Sequence, residues 1–307
     1  MRPVMPKRQF QYQANLAVPE NSACDARSRV EALFGSARAS HTIASETNDL
    51  DQWRNRRLAA NYALVFFDSF VVKVRERGLL CGKRLHLALG IMADGTKDII
   101  GFWIDHTSSV HSPESAIIQL SGRGVVEFGI AVADDDAALI AVRNSFPGAR
   151  AVRSIKHLVQ ESVECLRPAE RGPAAARLLR FFVEAHPAVT QADLSALTIL
   201  RDNPTVAAFW RRNWELAAPV IEMPPAARDV LCTTSAVESV TEKLRRRGIT
   251  KRCTFASTEA AIRELLFVLR DANASWKVSP QKWAAVHKEL LNNQRKYQGI
   301  LTVRRAP

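Results

Sequence analysis

Residues 63–75, Ala-Leu-Val-Phe-Phe-Asp-Ser-Phe-Val-Val-Lys-Val-Arg, constrain this chain more than any other stretch. β-Branched and aromatic side chains dominate it, and apolar and polar positions alternate in its second half, which predicts a β-strand. Inside it stands Asp68, between Phe67 and Ser69. A buried carboxylate without a partner is costly, so such a residue is usually paired, protonated or bound to a cation. The blander alternative for Asp68 is a structural hydrogen bond or an outward face.

The neighbouring segments extend the pattern. Arg77-Gly78 supplies a turn, 84–92 a second strand, Ala93-Asp94-Gly95-Thr96 a hairpin turn, and 98–104 a third strand. Three strands joined by short turns make an antiparallel meander. Pro113 starts a helix that ends near Gly122, and the mostly apolar run 125–132 reads as a buried fourth strand. Asp134, Asp135 and Asp136 open a helix through Ser145, where acids suit the positive helix N-terminus. A short fifth strand at 151–155 leads into a helix from about Lys156, and helical texture continues to Ala226 between prolines. Further helices begin near Ser235 and span 259–271. This order predicts an α/β fold: a ribonuclease H-like mixed sheet followed by a helical block and then more helix. The division along the chain is an N-terminal arm and linker at 1–58, a sheet-forming segment at 59–155, a helical block at 156–230, a further segment at 231–275, and a basic tail at 276–307.

Composition narrows the function classes. With 307 residues, 47% apolar and 24% charged, the chain has the balance of a globular protein able to bury a sizeable core. No apolar run approaches the roughly 18 residues that span a bilayer, and the charged start lacks the apolar stretch of a signal peptide. A cytoplasmic location without membrane partners is the expectation. Five cysteines without a C-x-x-C pair argue against a zinc site of the usual spacing and for reduced thiols.

The charge is uneven. Lys+Arg total 43 against 31 Asp+Glu, a net +12, and 241–307 holds fifteen of the former and five of the latter. Ten of the twelve net charges therefore lie there, led by Arg245, Arg246, Arg247, Lys251 and Arg252, with Trp276 and Trp283 interleaved farther on. Such a face suits phosphate neutralisation and DNA binding; a solvated helix face, an acidic protein or anionic lipid would account for the same charge. Trp210 and Trp214 share one helix face, where core packing outweighs base stacking, whereas Trp276 and Trp283 leave stacking open.

Three carboxylates fit a common site. Asp68 lies in a strand, and Asp134 is the closest of its acidic trio to a strand end, although all three could merely cap the next helix. Glu238 closes Ser235-x-x-Glu238, which also fits a capping box. Converging where the sheet meets that helix, the three would hold a pair of Mg²⁺ or Mn²⁺ ions for phosphodiester chemistry.

Several stretches then resemble one family in its own order. They are Val65-Phe-Phe-Asp-Ser-Phe-Val-Val-Lys-Val-Arg75, Leu87-Ala-Leu-Gly-Ile91, Gly101-Phe-Trp-Ile104, Trp210-Arg-Arg-Asn-Trp214 with Pro219, Pro224 and Pro225, Thr233-Thr-Ser-Ala-Val-Glu-Ser239, and the closing Trp276 and Trp283. From about Thr42 to Trp283 the chain resembles the Mutator-type transposases of bacterial insertion sequences. The resemblance implies a DDE transposase whose ribonuclease H-like catalytic core, its first part at 59–155 and its C-terminal part at 231–275, is interrupted before Glu238 by a helical insertion at 156–230, and which cleaves DNA and transfers strands with two Mg²⁺ or Mn²⁺ ions held by Asp68, Asp134 and Glu238. It aligns His157 with the His of the family's C-x-x-H signature, with Ser154 in the place of the Cys. It implies double-stranded DNA as partner, both transposon ends and target, together with homo-oligomerisation and a nucleoid-associated place in a bacterial cytoplasm. The family's helix-turn-helix lies in an N-terminal region of which only the tail, around 42–58, is matched. A catalytically decayed DNA-binding remnant is therefore the competing expectation, with a plain ribonuclease H-like nuclease third.

Overall fold

The computed structural model describes residues 49–104, 113–233, 238, 254–273 and 280–292. The basic cluster Arg245, Arg246, Arg247, Lys251 and Arg252, and also Ser235 and Trp276, lie outside the described residues.

The expected meander is present as β1 (Asn61–Glu76), β2 (Leu79–Ile91) and β3 (Lys97–Ile104), paired antiparallel. Arg77 and Gly78 both take positive φ (49° and 82°), the two-residue hairpin geometry that matches strand twist. β2 therefore starts at Leu79, five residues before the expected Arg84. Leu79 and Leu80 are held by pairing to Glu76 and Arg75 while 70% and 54% exposed, so no burial pattern announces them. At the other hairpin, Asp94 accepts from the Thr96 backbone N–H at 2.8 Å. Gly95 there has φ 82°, and a Cβ on it would lie 2.7 Å from the Trp283 ring.

β4 (Glu127–Ala133) adds parallel to β1, and β5 (Arg150–Arg153) adds parallel to β4, giving the order β3-β2-β1-β4-β5 in a mixed sheet. The two-residue β6 (Thr254–Phe255), which has no sequence signature of its own, pairs parallel with β1 at Lys73 and Val74.

Both faces of the sheet centre are covered. On one face α1 (Pro113–Gly122) and α2 (Asp136–Ser145) pack over Tyr62, Val65, Phe67 and Phe128. On the other, a larger cluster joins Leu64, Phe66, Leu87 and Ile130 to the helical block. That block comprises α3 (Ile155–Val163), α4 (Pro168–Glu184), α5 (Gln191–Ser195), α6 (Thr198–Asp202), α7 (Pro204–Ile221) and α8 (Pro225–Thr233). Pro168 and Pro204 open their helices at the first turn, where the missing N–H costs nothing. Trp210 is 1% exposed and Trp214 packs partly buried against the same core, so this pair fills space.

α9 (Thr258–Asn273) and α10 (Pro280–Asn292) return to the sheet. Asn273 accepts from the Ile99 N–H at 2.6 Å and donates to Asp98 at 2.9 Å. Within the stretch read as a basic tail, α10 buries Trp283, whose Nε1 donates to the Ala93 carbonyl at 2.7 Å. That indole is a packing anchor and is closed to base stacking.

Candidate metal centre

The register of the parallel strands builds the site. Phe67 of β1 lies opposite Ala133 of β4, and Ala133 lies opposite Arg153 of β5. The next residues along the chain are Asp68, Asp134 and Ser154, so three polar side chains stand level where β4 and β5 end and β1 runs on, at the edge where open α/β sheets carry their ligands.

β4 and β5 stop there because helices begin. Asp135 caps α2, accepting from the Ala138 N–H at 2.7 Å. Ser154 caps α3, accepting from the His157 N–H at 3.4 Å. The cap fixes His157 in the first turn of α3, with Nδ1 2.9 Å from Ser154 Oγ and Nε2 3.2 Å from Asp68 Oδ1. When Nε2–H donates to Asp68, a neutral ring accepts the Ser154 hydroxyl proton at Nδ1, whereas the imidazolium donates there instead.

Asp68 is 5% exposed and also accepts from the Ser69 N–H at 2.8 Å. The Ser69 hydroxyl donates to Asp134 Oδ2 at 2.8 Å and accepts from Arg84 Nη1 at 3.1 Å. Ligand-type atoms of Asp68, Asp134 and His157 all lie within 4.8 Å of one another. Beside them opens a small cleft with His86 and Trp103 in its wall.

Electrostatics at the cluster favours cation uptake. Burial pushes the Asp134 carboxyl above its ordinary range, and the charges of Asp68 and Asp135 push the same way, against the Ser69 hydroxyl and His157. For His157 burial pulls the pKa down, but the Asp68 hydrogen bond and the charges of Asp68 and Asp134 together outweigh it, so the net shift is upward. The carboxylates are hard donors suited to Mg²⁺ or Mn²⁺, and the imidazole favours the latter of the two.

Geometry separates the acidic trio: Asp134 faces Asp68, Asp135 is the cap, and Asp136 pairs with Arg153 at 3.2 Å. Glu238 is helical and exposed; its carboxylate pairs with Lys156 and stays outside the Asp68–Asp134–His157 group. Sequence reasoning did not single out Ser69, Arg84 or Lys156. Ser154 three residues before His157 carried a readable cap spacing, whereas nothing local signals that Arg84 reaches Ser69.

A mixed α/β sheet with a divalent-cation-competent Asp-Asp-His cluster at its parallel strand ends is the class that fold and site define. Comparison with known proteins supplies the family: the profile of the Mutator-family transposases matches residues 22–279. The chain belongs to the Mutator family of transposases. It is 35% identical over 239 residues to a probable transposase for an ISRM3-like insertion sequence element of Sinorhizobium fredii, covering 76% of this chain and 59% of that one. It is 33% identical over 268 residues to the ISRM3 transposase of Rhizobium meliloti, covering 83% and 65%. The chain thus spans about three fifths of the length of these relatives. Among solved structures, the simian T-cell lymphotropic virus intasome complexed with a PP2A regulatory subunit gives a TM-score of 0.20 at 14% identity, covering 62% of this chain and 74% of that one. A superposition that poor has no bearing on the fold.

Proposed function

We propose that this chain carries the catalytic core of an insertion-sequence transposase, a ribonuclease H-like DDE enzyme that cleaves DNA and joins strands. The observation that carries the reading is the convergence of Asp68, midway along β1, with Asp134 at the end of β4 and His157 in the first turn of α3, in a member of this family. The sheet order β3-β2-β1-β4-β5, with β1–β3 antiparallel and β4 and β5 parallel to β1, supports the ribonuclease H-like assignment.

In this reading Asp68 and Asp134 are the metal ligands. His157 holds Asp68 Oδ1 in place, and its Nε2, once deprotonated, would be a further ligand. Ser69 orients Asp134 through its hydroxyl. Glu238, on releasing Lys156, would complete the triad and supply the further carboxylate that a second ion needs. Divalent ions at such a site activate attacking water and stabilise the leaving oxygen. Hydrolysis breaks a phosphodiester P–O bond and frees a 3′-hydroxyl. That hydroxyl then attacks a target phosphodiester, forming one P–O bond as another breaks. Duplex DNA is the substrate, and assembly of several copies on paired ends is part of the proposal.

The test is nicking and strand transfer on supercoiled plasmid with Mg²⁺ or Mn²⁺. Asp68→Ala and Asp134→Ala are each expected to lower the rate by about 10²–10³-fold, the cost of removing one centre of charge stabilisation. Glu238→Ala matches them if Glu238 joins the triad; full activity in that variant removes it from the site. DNA binding without metal-dependent cleavage by the wild type would assign the chain a non-catalytic role.

A further inference from the structure

Beyond Asp68, β1 and β2 continue as a two-stranded ribbon whose faces differ in character. On one face Val72, Val74, Lys83 and Leu85 are buried where α9 packs on β1, and β6 pairs along the edge of β1. There Glu76, the sole acid between Ser69 and His86, is bound by Lys83 at 3.0 Å and by the Thr258 hydroxyl at 2.7 Å. The opposite face alternates by strand geometry as Ser69, Val71, Lys73 and Arg75 on β1, across from His86, Arg84, Gly82 and Leu80 on β2. Lys73, Arg75 and Arg84 are exposed, as is Arg77 at the turn, and this face holds no acid. Among the described residues, Lys73, Arg75 and Arg77 make no ion pair.

We infer that this face binds the sugar-phosphate backbone of duplex DNA and leads it to the Asp68–Asp134 cluster, an inference that rests on the transposase reading above. Three observations point to DNA over an acidic protein or a lipid surface. The strip is continuous with the cluster, because Arg84 bonds Ser69 Oγ and Ser69 bonds Asp134. From Ser69 to Arg75 it runs about 20 Å at the ordinary strand rise of about 3.3 Å per residue, long enough for several phosphates of a polyanion that carries a charge about every 1.7 Å of its axis. A two-stranded ribbon also has the dimensions that a duplex groove admits. The face presents cations and no carboxylate, which suits contact with phosphates.

The experiment uses the full chain and a fluorescent duplex of arbitrary sequence, with affinity measured against salt. The double variant K73Q/R75Q should lower the log–log salt slope by about 1.8, two phosphates at about 0.9 each, and weaken binding at low salt by at least about tenfold. K73R/R75K should restore both. In parallel, lysine acylation read by mass spectrometry should show Lys73 protected by the duplex, with buried Lys83 unreactive throughout. An unchanged slope in K73Q/R75Q while the wild type still nicks plasmid would overturn the ribbon surface and leave the transposase reading standing. Equal losses in K73R/R75K would overturn it as well, since charge would not be the cause. If K73Q/R75Q fails to fold, unprotected Lys73 in the wild type overturns the inference by itself. A wild type that neither binds nor nicks DNA would sink the transposase reading and this surface together.

Discussion

The two halves of β1 show what one strand can do in two environments. Up to Phe67 it has β2 on one side and β4 on the other, and Tyr62, Leu64, Val65 and Phe66 are no more than 3% exposed. From Asp68 onward β4 has ended, β6 touches only Lys73 and Val74, and among the described residues no strand flanks 68–72 on that side. The first half is packed on both faces; the second is packed on one and basic on the other. The candidate centre sits at the changeover, with a rigid sheet behind it to fix geometry and an open ribbon ahead to admit substrate.

The sharpest way to break this comparison is a truncation in each half. Phe66→Ala should cost about 3–5 kcal/mol by the transfer-plus-cavity rule. Val71→Ala, at a position 60% exposed, should stay within about 0.5 kcal/mol. Denaturant titration checks both, and similar losses would mean the second half is covered after all.

Next in size is Ser154→Ala, which removes the α3 cap and the His157 Nδ1 partner together. It should cost about 1 kcal/mol in stability and weaken Mn²⁺ binding by roughly 10–100-fold, measured by urea melts and calorimetry. Asp135→Ala, which removes the α2 cap and one nearby negative charge but no ligand, should cost about the same stability and lower Mn²⁺ affinity far less than Ser154→Ala does. A large loss of affinity there would make Asp135, not Asp134, the ligand.

The smallest effect is the pH dependence of the metal-free protein. Folding raises the His157 pKa, because Asp68 and Asp134 overcome the lowering by burial. Its contribution is therefore complete below the unfolded value of about 6.5 and is lost as pH rises through the folded value. Melting temperature should fall slightly over that window, and His157→Gln should flatten the decline. Stabilisation by Mn²⁺ should run the other way, growing as His157 and Asp134 release their protons. A Mn²⁺ shift that is constant with pH would remove His157 from the ligand set.

How much was legible follows from the kind of signal each element carries. β1 and β3 were readable because β-branched and aromatic residues recur with strand spacing, and β4 because a strand buried on both faces is apolar throughout. The start of β2 was missed because Leu79, Leu80 and Gly82 are held by hydrogen bonding to β1 while exposed. β6 is two residues long, too short for any period to show. Within the tail read at 276–307, α10 is ordered by Trp283 reaching a hairpin 190 residues away, a contact no local window contains.

The sequence by itself determined that residues 61–153 make strands and helices in this order, that Asp68 interrupts an apolar strand, and that acids cluster after the fourth strand. Only the tertiary structure decided which acid meets Asp68, because that depends on strand register and on how two helix caps use their side chains. It also placed Ser69 against Asp134 across 65 residues of chain and set Glu238 on Lys156 across 82. Periodicity and propensity act within a few residues. The distances that make a site are set by packing between segments far apart in the chain, and no short-range pattern encodes them.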